Sequence, residues 1–134
     1  MKITIILRLL AACLLVIAHG TANAYEEEKE KETCKKPRFS DFTLPIYSAE
    51  NPAEAAAESE FSFKISPYSN LETLNLSAKK NQLAFKVESN SSFHKITAKL
   101  PAEFNGQFVR INARVTAILG CYDAAGWLVK VAKP

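Results

Sequence analysis

Val109-Arg110-Ile111-Asn112-Ala113-Arg114-Val115-Thr116-Ala117 alternates apolar and polar residues without a break. Successive side chains of an extended strand point to opposite faces. This period of two therefore predicts that Val109, Ile111, Ala113, Val115 and Ala117 are buried, with Arg110, Asn112, Arg114 and Thr116 facing solvent. It is the longest such run in the chain, and the neighbouring segments repeat it in shorter form.

Upstream, Asn105-Gly106 supplies a turn, and a strand through Ile96, Ala98 and Leu100 stops at Pro101. Leu83, Phe85 and Val87 read as one strand closed by Asn90-Ser91-Ser92. Lys79-Lys80-Asn81 separates that strand from Leu74 and Leu76, and Pro67-Tyr68-Ser69-Asn70 turns the chain after the strand of Phe61, Phe63 and Ile65. Downstream, Gly120 and Gly126 bracket an expected loop, residues 120–126, before a last strand through Trp127, Val129 and Val131. Residues 51–58 carry alanines that favour a helical turn but offer nothing large to bury, so they read as a connection. About seven short strands with turn signals between them predict an all-β, antiparallel β-sandwich.

One stretch carries a family resemblance. Leu100-Pro101-Ala102-Glu103-Phe104-Asn105-Gly106-Gln107-Phe108-Val109-Arg110-Ile111-Asn112-Ala113 resembles the run entering the penultimate strand of bacterial immunoglobulin-like and fibronectin type III-like domains. Phe108 stands where such domains often place a corner tyrosine. The resemblance implies an immunoglobulin-like sandwich whose first strand begins at the same end as the loop between its last two strands. Cys34 and Cys121 would then meet there, outside the positions of the antibody-type inter-sheet bridge.

The amino terminus reads as an export signal. Lys2 precedes residues 3–18, which are almost wholly apolar and broken by Arg8, and Ala22-Asn23-Ala24 fits a small-x-small cleavage site. Residues 1–24 are accordingly expected to be removed, and the mature chain to be periplasmic or secreted. Leu10-Ala11-Ala12-Cys13 also matches a lipobox, yet the apolar run continues past Cys13 where a lipid-bearing cysteine is normally followed by polar residues. No second apolar run offers a membrane span. Residues 25–37 hold the run Glu26-Glu27-Glu28-Lys29-Glu30-Lys31-Glu32 and are expected to form a solvated arm ahead of a domain at 38–134. Two cysteines remain, Cys34 and Cys121, and an even pair in an exported chain predicts a disulfide.

Of 17 basic residues, Lys2 and Arg8 lie in the leader, which leaves 15 against 14 acidic ones. A nearly neutral mature chain argues against a nucleic-acid partner. Enzyme chemistry finds little material. His94 is the single histidine after the leader, and no Gly-x-Ser-x-Gly elbow is present. One histidine, two cysteines expected to be oxidised and no methionine after the leader do not make a transition-metal ligand set, so no cofactor is expected. Glu88, Glu103 and Asp123 fall at turns or strand ends without a glycosidase motif.

What remains is binding. Arg110, Asn112 and Arg114 share one face, and Lys130 would join them from the last strand. This stripe reads either as a solvated sheet face or as a contact for an acidic partner. Tyr122 and Trp127 flank the 120–126 loop as aromatic anchors, although Trp127 reads first as core. The leading expectation is a noncatalytic interaction module, an accessory or assembly factor for another envelope protein. An inhibitor inserting the 120–126 loop into an envelope hydrolase is the second expectation. A sulfur or redox carrier using Cys121 is the third, and it fails if Cys121 is bridged.

Overall fold

A computed structural model describes residues 34–134; the leader, the lipobox and residues 25–33 of the charged arm lie outside the described residues. The chain forms eight strands: β1 (Phe39–Ser40), β2 (Glu60–Ile65), β3 (Ser69–Ala78), β4 (Asn81–Gln82), β5 (Phe85–Ser89), β6 (His94–Lys99), β7 (Phe108–Ala117) and β8 (Tyr122–Lys130). They pair antiparallel in two four-stranded sheets, ordered β1-β2-β6-β5 and β4-β3-β7-β8. Lettered in chain order, this is the A-B-E-D and C′-C-F-G arrangement of an immunoglobulin-like sandwich.

The deciding strand behaves as its alternation requires. β7 lies between β3 and β8, so its backbone is bonded on both sides and its two faces divide core from solvent. Val109, Ile111, Ala113, Val115 and Ala117 are buried, while Arg110, Asn112 and Arg114 are exposed. Phe61, Phe63 and Ile65 of β2 and Ile96 and Ala98 of β6 close the core from the opposite sheet. Each such large side chain contributes about 1.5–3 kcal/mol when withdrawn from water.

Three sequence expectations need correction. Leu83, Phe85 and Val87 do not share one strand: β4 pairs with β3, whereas β5 pairs with β6 in the other sheet. The chain crosses between sheets at Leu83 and Ala84, with Leu83 buried at the crossing, so an alternation that looked continuous spans a corner. Asn70 belongs to β3 and not to the preceding turn, while Ser69 closes that turn with its amide on the Ser66 carbonyl at 3.1 Å and also begins β3; the two pair with Thr116 and Ala117. Residues 51–58 are the expected connection between the first two strands, without a helical turn. Ala55 instead makes a parallel bridge to Val131, donating to the Lys130 carbonyl and accepting from the Ala132 amide, both at 2.8 Å. Pairing with the open edge of β8 overrides the alanine propensity for helix.

The third correction bears on function. Residues 120–126 are not a loop, since β8 begins at Tyr122 and stays in register with β7 through Thr116↔Tyr122, Arg114↔Ala124 and Asn112↔Gly126. The connection is the tight turn at residues 118–121, closed by Gly120 N–H to Ala117 O at 2.8 Å and with Gly120 at φ +100°. Gly126 is a strand glycine. A Cβ there would lie 3.2 Å from Asn112 Oδ1 and 3.3 Å from Arg110 Nη1, so its smallness leaves room for the neighbouring side chains.

Candidate functional site: the disulfide end and the adjoining sheet face

Cys34 and Cys121 are joined in a disulfide. Cys121 Sγ also lies 3.0 Å from the Lys35 carbonyl oxygen. Because a bridged sulfur carries no proton, this is a close sulfur–oxygen contact and not a thiol hydrogen bond. Residues Lys35–Pro134 form one compact unit. Pro37 is buried, and the Lys36 carbonyl accepts from Tyr68 Oη at 3.1 Å.

Tyr68 organises this end. Its hydroxyl holds the 35–38 segment, while its carbonyl accepts the Ile118 amide at 3.0 Å, so one residue ties a basic segment to the β7–β8 turn. Lys35, Lys36, Pro37, Arg38, Ser66, Tyr68 and Asp123 line an open cleft of about 600 Å³ there. Beside it, Ile118 and Leu119 are 71% and 73% exposed, the most exposed of the large apolar side chains among the described residues. Nothing local in the sequence marks this tip, since Ile118-Leu119 extends an apolar run that looks like more strand.

The structure divides the residues expected to bind. Arg110, Asn112, Arg114 and Tyr122 share the outer face of the β4-β3-β7-β8 sheet. The Arg114 guanidinium lies 4.3 Å from the Tyr122 ring centroid, which leaves the ring 54% exposed at the end of the strand nearest the turn. Asn112 and Arg114, with Asn75 and Ser77 of β3 and Ala124 and Gly126 of β8, line a shallow groove of about 450 Å³.

Lys130 is on the same face but at its far end. Its ammonium donates to the Gly106 carbonyl at 2.8 Å and sits 4.6 Å from the Phe108 ring centroid, so it is committed to the corner before β7. Phe108 meets Tyr47 edge-on at 4.8 Å. Trp127 points the other way. It pairs with Ile111 on the inner face, stacks on Phe42 at 4.3 Å and touches Phe39 and Phe63, so its aromatic area is spent on the core and not on a partner surface.

His94 lies in β6, half-buried, with one ring nitrogen 2.6 Å from Ser89 Oγ and the other 3.1 Å from the Pro67 carbonyl. A carbonyl only accepts, so Nε2 donates to Pro67, and Nδ1 pairs with the Ser89 hydroxyl. The side chain thereby ties β5 to the β2–β3 turn. Among the described residues no three His, Cys, Asp or Glu side chains form a cluster able to hold a metal ion. No helix among them is long and apolar enough to cross a membrane.

Neither a family model nor a curated protein matches the chain. Among solved structures it is similar to titin M4 in a trigonal crystal form, at 12% identity and a TM-score of 0.38, over 73% of this chain and 95% of that one. The fold itself stands on strand order and register: the chain is an all-β, antiparallel, immunoglobulin-like sandwich.

Proposed function

We propose that the chain is an exported, noncatalytic interaction module, an accessory or assembly factor that docks on another envelope protein through its disulfide-stapled end. The observation that carries this reading is the pairing of an exposed apolar tip, Ile118 and Leu119, with the basic Lys35, Lys36 and Arg38 alongside it. The fitting partner surface is an apolar socket with an acidic rim. Arg114 and Tyr122 extend the contact along the outer sheet face. Large apolar side chains at a stiffened turn bind without a heavy ordering cost, since the bridge at Cys121 has already restricted the backbone. Export is supported by the leader pattern and by the disulfide. With Cys121 bridged, the carrier reading lacks the thiol it requires.

A photo-crosslinking residue in place of Leu119, in cells that export the protein, tests the reading. Thr97, on the outer face of the other sheet, serves as the control position. The expected result is one discrete heavier adduct from position 119 and none from 97. No adduct at 119, or the same adducts from both, overturns it. The tip also suits insertion into a hydrolase cleft, and dose-dependent inhibition of envelope hydrolases by purified protein would assign the partner to that class.

A further inference from the structure

β5 is the outer strand of its sheet, and among the described residues no backbone hydrogen bond reaches it from the far side. The phase of its bonding is fixed by the Asn90 amide, which donates to the Phe93 carbonyl. In an antiparallel ladder, bonded and non-bonded pairs alternate, so Glu88↔Lys95 and Lys86↔Thr97 are the bonded pairs. The amides and carbonyls of Phe85, Val87 and Ser89 consequently point away from β6. Residues from Lys86 to Ser89 are exposed, Val87 at 37%.

Such an edge is a template for another strand. From the sequence Phe85-Lys86-Val87-Glu88-Ser89 we infer that the strand it fits is β5 of a second copy, antiparallel, with the two-fold axis at Val87. That register sets Val87 opposite Val87 and Phe85 opposite Ser89, so every outward amide and carbonyl meets its complement. It also sets Lys86 opposite Glu88 twice, on the outer face. Glu88 already stands across from Lys95 within its own sheet, so its carboxylate would lie between two ammonium groups.

Alternative registers fail on charge or on bonding. Centring the axis on Lys86 or Glu88 puts like charges face to face, and a register displaced by one residue from any of these sets outward amides against residues whose amides point inward. Parallel pairing in register stacks lysine on lysine and glutamate on glutamate. Opposite charges directly across a strand pair are favourable and like charges unfavourable, so the sequence selects one arrangement. It joins the β1-β2-β6-β5 sheets of both copies into one continuous sheet. A contact of one short strand is small, which makes the dimer weak and concentration-dependent.

The test is sedimentation equilibrium on the protein as recovered from the exporting cell, from about 1 µM to about 1 mM, the range over which small interfaces dissociate. Wild type is expected to shift from one copy to two. K86E places two acids on the edge and E88K two bases, so each alone should weaken self-association at least tenfold. A mixture of the two variants should form a heterodimer, because every opposed pair is then of opposite sign. Both substitutions are on the surface, and thermal melts matching wild type establish that folding is intact. A wild type that stays monomeric throughout, a dimer unmoved by either single change, or a mixture that fails to pair overturns the inference.

Discussion

The guanidinium of Arg114 lies over the ring of Tyr122, 4.3 Å from its centroid, across the β7–β8 pair. Both side chains are exposed, so the contact contributes about 0.5–1 kcal/mol to folding. A double-mutant cycle of R114A, Y122A and the pair, followed by urea denaturation, is expected to return a coupling of that size. The triple variant R110A/R114A/Y122A should stay folded and lose most of the adduct formed from position 119. Retained adduct would remove these three residues from the partner surface and leave only the tip.

Gly126 makes room for Arg110 and Asn112. A Cβ there meets Asn112 Oδ1 and Arg110 Nη1 at 3.2 and 3.3 Å, both at the ends of exposed side chains that can swing aside. Its φ is not in the left-handed region, so alanine fits the backbone. G126A is expected to hold or raise stability by up to about 1 kcal/mol, since glycine in a strand carries an entropic cost. A loss greater than that would show that Arg110 and Asn112 are fixed against the groove floor.

The staple between Cys34 and Cys121 joins positions 87 residues apart, and restricting so long a segment of the unfolded chain is worth at most about 4.6 kcal/mol. Measured effects fall below this ceiling, so C34S/C121S is expected to lose about 2–4 kcal/mol in denaturant melts. The same chemistry checks export. The intact mass of protein from the exporting cell should begin at Tyr25, and thiol labels should attach only after reduction. A chain retaining residues 1–24, or a Cys121 that labels without reductant, would contradict the exported, stapled form.

Periodicity carried far into this fold and then stopped at identifiable points. Alternation located β2, β6 and β7 because each has one face on the core, and side-chain parity placed Arg110, Asn112 and Arg114 together on the other. It failed at Leu83, where the chain changes sheets without a proline or glycine to mark the corner. It failed at Gly126, where glycine reads as punctuation although it lies inside β8, in register with Asn112. The exposed Ile118 and Leu119 were illegible for a related reason: local hydropathy cannot tell an apolar turn tip from the strand it extends.

A side chain completes the β3–β7 ladder where the backbone departs from it, and this yields the last prediction. The register between the two strands shifts between Asn70 and Asn75, carrying the β3 backbone away from β7. The Thr116 amide is answered instead by Thr73 Oγ1 at 2.9 Å, and the same oxygen accepts the Thr116 hydroxyl at 2.8 Å. Thr73 passes its own proton to the Asn70 carbonyl at 2.7 Å, so the hydroxyl is fully used. T73V keeps the shape and removes every one of these bonds, leaving the half-buried Thr116 amide unpaired at a cost of about 1–3 kcal/mol. T73S keeps the oxygen and should lose less than about 1 kcal/mol. Denaturant midpoints for the two variants measure the difference. If valine and serine prove equivalent, water replaces the hydroxyl at the bulge and the side-chain bond does not hold the strands together there.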